Sequence, residues 1–282
     1  MNHISLRYLL SLYRQAAMMD LAWLLRDTRY CLVVIFSDLI TSIAAISGVF
    51  LLALRFEDFS GISSSEVLFM LAFLMLTKGI REMFIASANV SNFSRRIGRG
   101  QLEHMFIQPL PFSLQLLTEG FIPFSGNSNL ICGFLLMHYA IRRMELVPTG
   151  WFWMQMVIYL ITSVATITGV SYLFSAAAFY APVACEEISM SVFDISESLM
   201  HFPLSGMPQM MQMMLLTVLP TGILGWFPCL ALLGRPPLHF PSWYPLSFCA
   251  LVWSLALFAI RKGMRYYVRV GINRYSAAGH RS

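Results

Sequence analysis

The chain alternates long apolar stretches with short polar connections, and the connections hold almost all of its lysines and arginines. Its 282 residues are 57% hydrophobic and only 12% charged, with a mean hydropathy of +0.67. A soluble domain has roughly a quarter of its residues charged. The shortage of charge therefore predicts one integral membrane domain over residues 1–282 rather than several water-soluble domains.

Six of the apolar stretches are long enough to cross a bilayer, which takes roughly 20 helical residues. They are Tyr30–Leu54, Glu66–Ala88, Leu114–Ile141, Trp151–Tyr180, Met210–Leu233 and Pro245–Ile260. The third contains Glu119, Pro123 and Gly126 in its first half, which predicts a broken or partly wet helix. The expected fold is all-α and polytopic, with six transmembrane helices.

Three further segments are amphipathic or basic and are expected at the membrane surface. Residues 1–29 have helical apolar spacing with Arg7 and Arg14 on the opposite side, which predicts an N-terminal interfacial helix rather than a cleaved signal peptide. Residues 183–208 carry an apolar stripe and are predicted as an amphipathic connector on the inner surface, before the fifth span. Residues 261–282 are predicted as a basic cytoplasmic tail that attracts anionic lipid.

The positive charges in the connections orient the spans. With a cytoplasmic N-terminus, thirteen of the nineteen lysines and arginines fall on the inner side and four on the outer side. Both termini are therefore expected in the cytoplasm, with an even number of spans. The connection 181–209 argues against six spans, because it should lie inside but has no lysine or arginine. A four-span topology is the alternative.

Four ionisable residues lie inside the first two predicted spans, where a charge is costly and usually marks a pathway or a partner. Lys78 and Glu82 are four residues apart on one helical face and can neutralise each other. Arg81 then needs another partner, for which Asp38 on the neighbouring span is the candidate. The cluster is either a structural ion-pair group, which we favour, or a polar lining of a translocation route.

The segment 92–111 is predicted as a cytoplasmic loop with a short helix at 101–108, which glycines precede and prolines end. Leu102, Met105 and Phe106 share one face of this helix at positions i, i+3 and i+4. That apolar face must be covered by lipid or by a partner protein. The helix is accordingly either an interfacial turn of the chain or a docking surface.

Two motifs in this loop resemble the G-x-L-(D/E)…P-L cytoplasmic motif of type-two ABC export permeases. They are Gly98-Arg-Gly-Gln-Leu-Glu103 and Gln108-Pro-Leu-Pro111. Three later segments match, in order, the region around the fifth span of one bacterial subfamily of these permeases, and a fourth is similar to its ending. They are His201-Phe-Pro-Leu-Ser-Gly-Met-Pro208, Leu219-Pro220, the stretch 228–235 and Arg274-Tyr-Ser-Ala-Ala-Gly279. The chain departs from that subfamily at Glu186 and Glu187, where a basic residue or two is usual.

The resemblance implies an ABC transporter permease of a bacterial inner membrane, which exports an unknown substrate by alternating access. It would pair with a second permease, identical or homologous, and with two copies of a cytoplasmic ABC ATPase. ATP and magnesium would bind to the ATPase, and this chain would hold no cofactor or metal. In agreement, the sequence has no G-x-x-x-x-G-K-[ST] loop to bind phosphate.

The same resemblance implies that motion of the ATPase reaches the spans through a coupling site on the loop. The residues of this site would be Gly98, Gly100, Leu102, Glu103, Met105, Phe106, Pro109 and Leu110.

Two other functions are consistent with the residues alone. An intramembrane enzyme would use Asp38, Glu82 and either His104 or His138 as acid and base groups, although no hydrolase motif occurs in a span. The other alternative is a non-catalytic membrane scaffold. Nucleic acid is not an expected partner, because the basic residues lie only at the membrane edges.

Overall fold

The computed structural model describes residues 6–55, 62–85, 97, 102–108, 115, 121–124, 127–181, 191–192, 194–196 and 198–270. Every regular element in these ranges is helical, which confirms the all-α prediction. The α-helices are α1 (Leu6–Arg26), α2 (Thr28–Arg55), α3 (Ser64–Ile85), α4 (Leu102–Ile107), α5 (Ser128–Arg143), α6 (Gly150–Ser175), α7 (Gln209–Thr217), α8 (Thr221–Leu224), α9 (Trp226–Leu232) and α10 (Tyr244–Val270). Short 3-10 turns lie at Ala176–Phe179, Leu204–Gly206 and Pro237–His239.

Three stretches of helix are long and apolar enough to cross a bilayer by length and composition, among the residues described. They are Thr28–Gly48 in α2, Gly150–Phe179 in α6 with its 3-10 turn, and Tyr244–Arg269 in α10. Helix α3 has 22 residues, which is enough length, but it carries Glu66, Lys78, Arg81 and Glu82. Its middle is enclosed by other helices, which allows it to carry charge that lipid would reject.

Helices α3 and α5 pack antiparallel at very close range. A Cβ atom on Gly79 would lie 2.6 Å from the backbone nitrogen of Leu130, and one on Gly133 would lie 2.9 Å from that of Leu76. Small residues at such positions let two helix backbones approach and gain dispersion contacts, which is how helices associate in lipid. The two glycines therefore define the tightest contact around α3.

Helices α6 and α10 run parallel. In the first half of α6 the Tyr159 hydroxyl donates to the carbonyl of Ser242, just before α10, at 2.9 Å. After the end of α6 the ring of Phe179 lies 6.1 Å from that of Tyr267, in the last turn of α10. Between these points the indole nitrogen of Trp253 donates to the carbonyl of Ala165 at 2.9 Å. Because α6 and α10 run in the same direction, the region 181–243 must bring the chain back to the end of the bundle at which α6 begins.

The bundle thus has two ends, which we name after the charged residues of α3. At the Glu66 end, Arg235 pairs with Glu66, and the rings of Phe69 and Phe152 are 6.2 Å apart. At the Glu82 end, Asn129 donates to Glu82 and the amide of Ile122 donates to the carbonyl of Met83. The final turns of α6 and α10 belong to the Glu82 end, because Ile85 packs against their buried cluster.

The third predicted span, Leu114–Ile141, is not one helix along its length. Among its described residues, helix α5 begins only at Ser128, and residues 121–124 before it are not helical, with a turn at Pro123 and Phe124. Sixteen residues rise about 24 Å, less than the hydrocarbon thickness of a bilayer. This agrees with the expectation of a broken first half, since Pro123 lies in the turn.

The fifth predicted span, Met210–Leu233, is wrong as a single crossing. Three short helices, α7, α8 and α9, replace it, and they separate at Pro220, which has no amide hydrogen, and at Gly225. The chain enters the bundle until the carbonyl of Ile223 accepts from Ser163, and then returns to the Arg235 pair at the Glu66 end. This region is therefore re-entrant.

The connector predicted on the inner surface, 183–208, is also placed differently in its described part. Residues 191–192, 194–196 and 198–199 are helical and follow the side of α3. Asp194 lines a cavity with Lys78, whereas Pro203 lies against Ile62 and Met70 near the Glu66 end. The described residues from 191 to 208 therefore run beside α3 toward the Glu66 end.

The remaining boundaries differ less from the predictions. Helix α10 continues ten residues beyond the predicted end at Ile260, so the first half of the basic tail 261–282 is helical, and the rest lies outside the described residues. Helix α1 covers most of the predicted interfacial segment 1–29. Its position at a membrane surface stays a prediction.

We predict that Gly79→Ala destabilises the protein by about 1–3 kcal/mol, because the added Cβ meets the backbone of Leu130, which cannot move without shifting α5. Gly48→Ala in α2 is the matched control, since a Cβ there meets nothing within 4 Å. Thermal unfolding in detergent measures both. Equal midpoints for the two variants would contradict the close α3–α5 contact.

We predict that Gln209 and Val147 are labelled from the same side of the membrane, and His104 from the other. Single cysteines at these exposed positions, in a chain whose five native cysteines are replaced by serine, react with a membrane-impermeant maleimide from one side or the other. A re-entrant 209–232 region keeps Gln209 at the Glu66 end. Labelling of Gln209 from the same side as His104 would contradict the re-entrant arrangement and support a single crossing over Met210–Leu233.

Candidate coupling end and polar cavity

The buried charges of α3 are balanced within the protein. Lys78 Nζ lies 3.7 Å from Glu82 Oε1, at the i, i+4 spacing, and both side chains are largely enclosed. Lys78 also contacts the hydroxyl of Ser42 on α2 at 3.4 Å, and the amide of Asn129 on α5 donates to Glu82 Oε2 at 2.8 Å. The cluster thereby joins three helices through charge-assisted hydrogen bonds.

The structure describes the two other members of the predicted cluster, Arg81 and Asp38, less fully. Arg81 is half-buried on α3 and takes part in a polar interaction. The backbone of Asp38 is helical within α2, but its side chain lies outside the described residues. The pairing of Arg81 with Asp38 therefore stays a prediction. Sequence reasoning missed Ser42 and Asn129, which carry no charge and lie on helices that only the fold brings together.

The structure describes a cavity of about 650 Å³ beside this cluster. Its wall is built from α2, the middle of α3, the first turn of α5 and the segment 194–202. Lys78, Asp194 and His201 bring titratable groups to it, and Ser42 and Ser198 bring hydroxyls. The 191–202 segment therefore contributes polar side chains to an open cavity, in which Asp194 and Ser198 are exposed.

The short helix α4 lies at the Glu82 end and buries one side of itself. Leu102 is fully buried and Met105 nearly so, in a cluster with Phe179 and Tyr267, and Phe106 is half exposed. Exposure differs across the face that the spacing predicts, since Leu102 and Met105 are buried and Phe106 lies at its edge. Gln115 fixes the helix by donating to the carbonyl of Met105 at 2.8 Å.

The other predicted coupling residues are only partly visible. Gly98, Gly100, Pro109 and Leu110 lie outside the described residues. Glu103 is in the helical backbone of α4, but its side chain is also outside them. Ile107, which the sequence analysis did not select, is one of the most exposed apolar residues described, at 79%. The sequence could have indicated Ile107, because this residue stands directly before the motif residues Gln108 and Pro109.

Helix α1 is attached to the same end of the bundle. The ring of Phe121 lies 5.1 Å from that of Tyr13 in α1 and 5.3 Å from that of Phe84 in α3. The carboxylate of Asp20, which is buried, accepts from the backbone amide of Phe124 at 2.8 Å. Helix α1 is therefore linked to the end of α3 through residues 121–124.

Basic residues also concentrate at this end. Arg261, Arg265 and Arg269 recur every four residues in the last part of α10, around the ring contact between Tyr180 and Tyr266. Helix α1 and the start of α2 add four more arginines, whereas the Glu66 end has Arg55 at the end of α2, Arg142, Arg143 and Arg235 among the residues described. This distribution is typical of a bundle whose Glu82 end faces the cytoplasm.

The residues proposed for an intramembrane enzyme are not assembled in the described structure. His138 lies nine residues beyond Asn129 on α5, about 13 Å along the helix from the Glu82 contact. His104 is exposed on α4. Among the described residues, no group of three or more His, Cys, Asp or Glu side chains is placed to hold a metal ion.

These features define a polytopic, helical membrane protein in which a short, partly exposed helix packs against the ends of the long helices. The sequence matches the family described as ABC-2 family transporter protein over residues 39–279. The chain therefore belongs to the ABC-2 family of transporters, and it is an ABC transporter permease, a membrane-embedded component rather than the catalytic one. The family implies partnership with an ABC ATPase, usually together with another permease. No curated protein and no solved structure matches the chain significantly.

We predict that removing Lys78 alone costs more stability than removing its pair. Lys78→Met leaves the enclosed Glu82 carboxylate without its cation and should destabilise the protein by about 1–3 kcal/mol, whereas Lys78→Met/Glu82→Met should lose less. Unfolding of these variants and of Glu82→Met in detergent measures the coupling. If the two single losses simply add in the double variant, the pair does not act as a structural unit.

Proposed function

We propose that this chain is the permease of an exporter whose two ATPase subunits dock at the Glu82 end. Two permease subunits, identical or homologous, would form the pathway between them and move the substrate by alternating access. The Glu82 end would face the cytoplasm of a bacterium, together with both termini. The ATPases would bind ATP and magnesium, and export as the direction is supported by the likeness of the loop motifs to type-two export permeases.

The packing of α4 is the observation that carries this proposal. Its buried side, Leu102 and Met105, inserts among Phe179 and Tyr267, at the final turns of α6 and α10. Its other side presents Ile107 and part of Phe106. A push on the exposed side would therefore reach two long helices through close-packed side chains, which transmit displacement because protein interiors are dense.

A second route supports the same location. Helix α1 is tied to the end of α3 through the turn 121–124, by the Asp20 hydrogen bond and the Tyr13 and Phe84 ring contacts. An ATPase that contacts both α1 and α4 would move α3, α6 and α10 together. Such joint movement of several spans is what alternating access requires.

We predict that Ile107→Glu lowers recovery of the ATPase with the tagged permease by roughly tenfold or more, because a charge replaces an apolar contact in the docked surface. Val147→Glu is the matched control, since Val147 is an aliphatic residue of similar exposure, 86% against 79%, in the α5–α6 connection. Co-purification from detergent-solubilised membranes measures both. Loss of the ATPase with the Val147 variant but not the Ile107 variant would reverse the assignment of the two ends.

A further inference from the structure

The last third of α10 carries a row of exposed cations. Arg261, Arg265 and Arg269 recur every four residues along it. None of the three forms an ion pair among the residues that the structure describes. The sequence has no aspartate or glutamate after Glu197, so no neighbour along the chain can neutralise them. The row is therefore a concentration of positive charge for which the described structure supplies no counter-ion.

The opposite side of the same turns is packed, which fixes the direction of the row. Gly263 lies directly against the ring of Phe179, and Tyr267 is buried in the cluster that also holds Leu102. With 3.6 residues per turn, positions 263 and 267 lie on the side of the helix opposite to the three arginines. The arginines are therefore directed away from the bundle.

The row continues the exposed apolar face of α10. Leu251, Leu255 and Phe258 are exposed on the same side of the helix as the arginines. Phe258 stands three residues before Arg261 and seven before Arg265, so its ring lies next to them toward the middle of the helix. Because this helix is long and apolar enough to cross a bilayer, acyl chains can lie against that face. A lipid placed there has its headgroup at the arginines.

The depth of the row matches the headgroup region. Trp243 is exposed just before α10, and tryptophan favours the membrane interface, so it marks one boundary. A hydrocarbon core of about 30 Å takes about 20 helical residues, which brings the other boundary close to Arg265. Arg261 then lies about one turn inside the boundary and Arg269 about one turn outside it. A lipid headgroup reaches Arg261 at that depth more readily than a water-soluble protein does.

The chemistry of the row selects anionic phospholipid. Ile260, Met264 and Val268 follow the arginines at the same spacing, and with them they line a groove of about 490 Å³. Guanidinium groups bind phosphate oxygens through paired hydrogen bonds. Helix α10 has no carboxylate that could receive the ammonium group of a zwitterionic headgroup. A phosphate without its own cation is therefore the complementary ligand.

We propose that Arg261 and Arg265 form a binding site for the phosphate of an anionic phospholipid in the leaflet at the Glu82 end. Arg269 adds attraction from the water side, and Phe258 contacts the acyl chains. The site is more specific than the general attraction expected of the tail 261–282, because it fixes where both parts of the lipid lie. It depends on α10 crossing the bilayer and not on the ATPase.

The test cross-links lipid at the position of Phe258. The transporter, with benzoylphenylalanine in place of Phe258, is reconstituted into vesicles of equal parts phosphatidylglycerol and phosphatidylcholine with the same acyl chains. After irradiation, mass spectrometry of the intact chain separates the two lipid adducts. We expect roughly tenfold more phosphatidylglycerol adduct, because basic residues near the membrane surface attract anionic lipid.

Two comparisons make the result specific. Arg261→Gln/Arg265→Gln should bring the two adducts at Phe258 to equal amounts. Benzoylphenylalanine at Phe134 is the matched control, since Phe134 is a phenylalanine of similar exposure on α5, 58% against 67%, and its adducts should be equal. Equal adducts at Phe258 with both arginines present would overturn the proposal. An excess that survives their removal, an equal excess at Phe134, or a cross-link to a second permease in place of lipid would do the same.

Recovery of the ATPase with the same variants separates this inference from the proposed function. Arg261→Gln/Arg265→Gln should leave recovery unchanged, because the docking surface is assigned to α4. If the variant loses the ATPase while its lipid adducts stay unequal, the arginines belong to a protein surface and the lipid site fails. If no ATPase is recovered even with the unaltered chain, the proposed function fails, and the adduct ratio at Phe258 still decides the lipid site.

Discussion

The pairing of charged side chains on α3 is the constraint on which the rest of this structure depends. A helix that carries Lys78, Arg81 and Glu82 cannot face lipid, where a charge costs several kcal/mol without a partner. The protein meets this cost by enclosing the helix and by supplying Ser42 and Asn129 to the Lys78–Glu82 pair. Enclosure requires neighbours at close range, which Gly79 and Gly133 permit on the α5 side.

The two ends of the bundle follow from this arrangement. Ring contacts and buried aliphatic side chains connect the Glu82 end of α3 to its neighbours. These neighbours are α1, α4 and the last turns of α6 and α10. At the opposite end, Arg235 holds the re-entrant helices to Glu66. Glu66 also accepts from the amide of Ser63 at 2.9 Å and so caps α3. A displacement at the Glu82 end can therefore move whole helices rather than single loops.

Sequence reasoning succeeded where one physical signal dominates. Apolar length alone locates α2, α6 and α10, and Lys78 and Glu82 are predicted to pair because their spacing fixes their geometry. Sequence reasoning failed where the neighbours of a segment in the fold decide its position. The polar stripe of 191–202 predicts a surface helix if it faces water, but Asp194 and Ser198 face a cavity. The region Met210–Leu233 has the length of a span, yet Pro220 and Gly225 break it into short helices. These helices enter the bundle and return to the same end.

We propose that α4 transmits the motion of an ATPase to the long helices of this ABC-2 permease. The most direct test of this role places a photo-reactive amino acid at the exposed position His104 and irradiates intact cells that express the transporter. We expect a cross-linked adduct between this chain and the ATPase subunit. Adducts formed only with proteins on the opposite side of the membrane would contradict it.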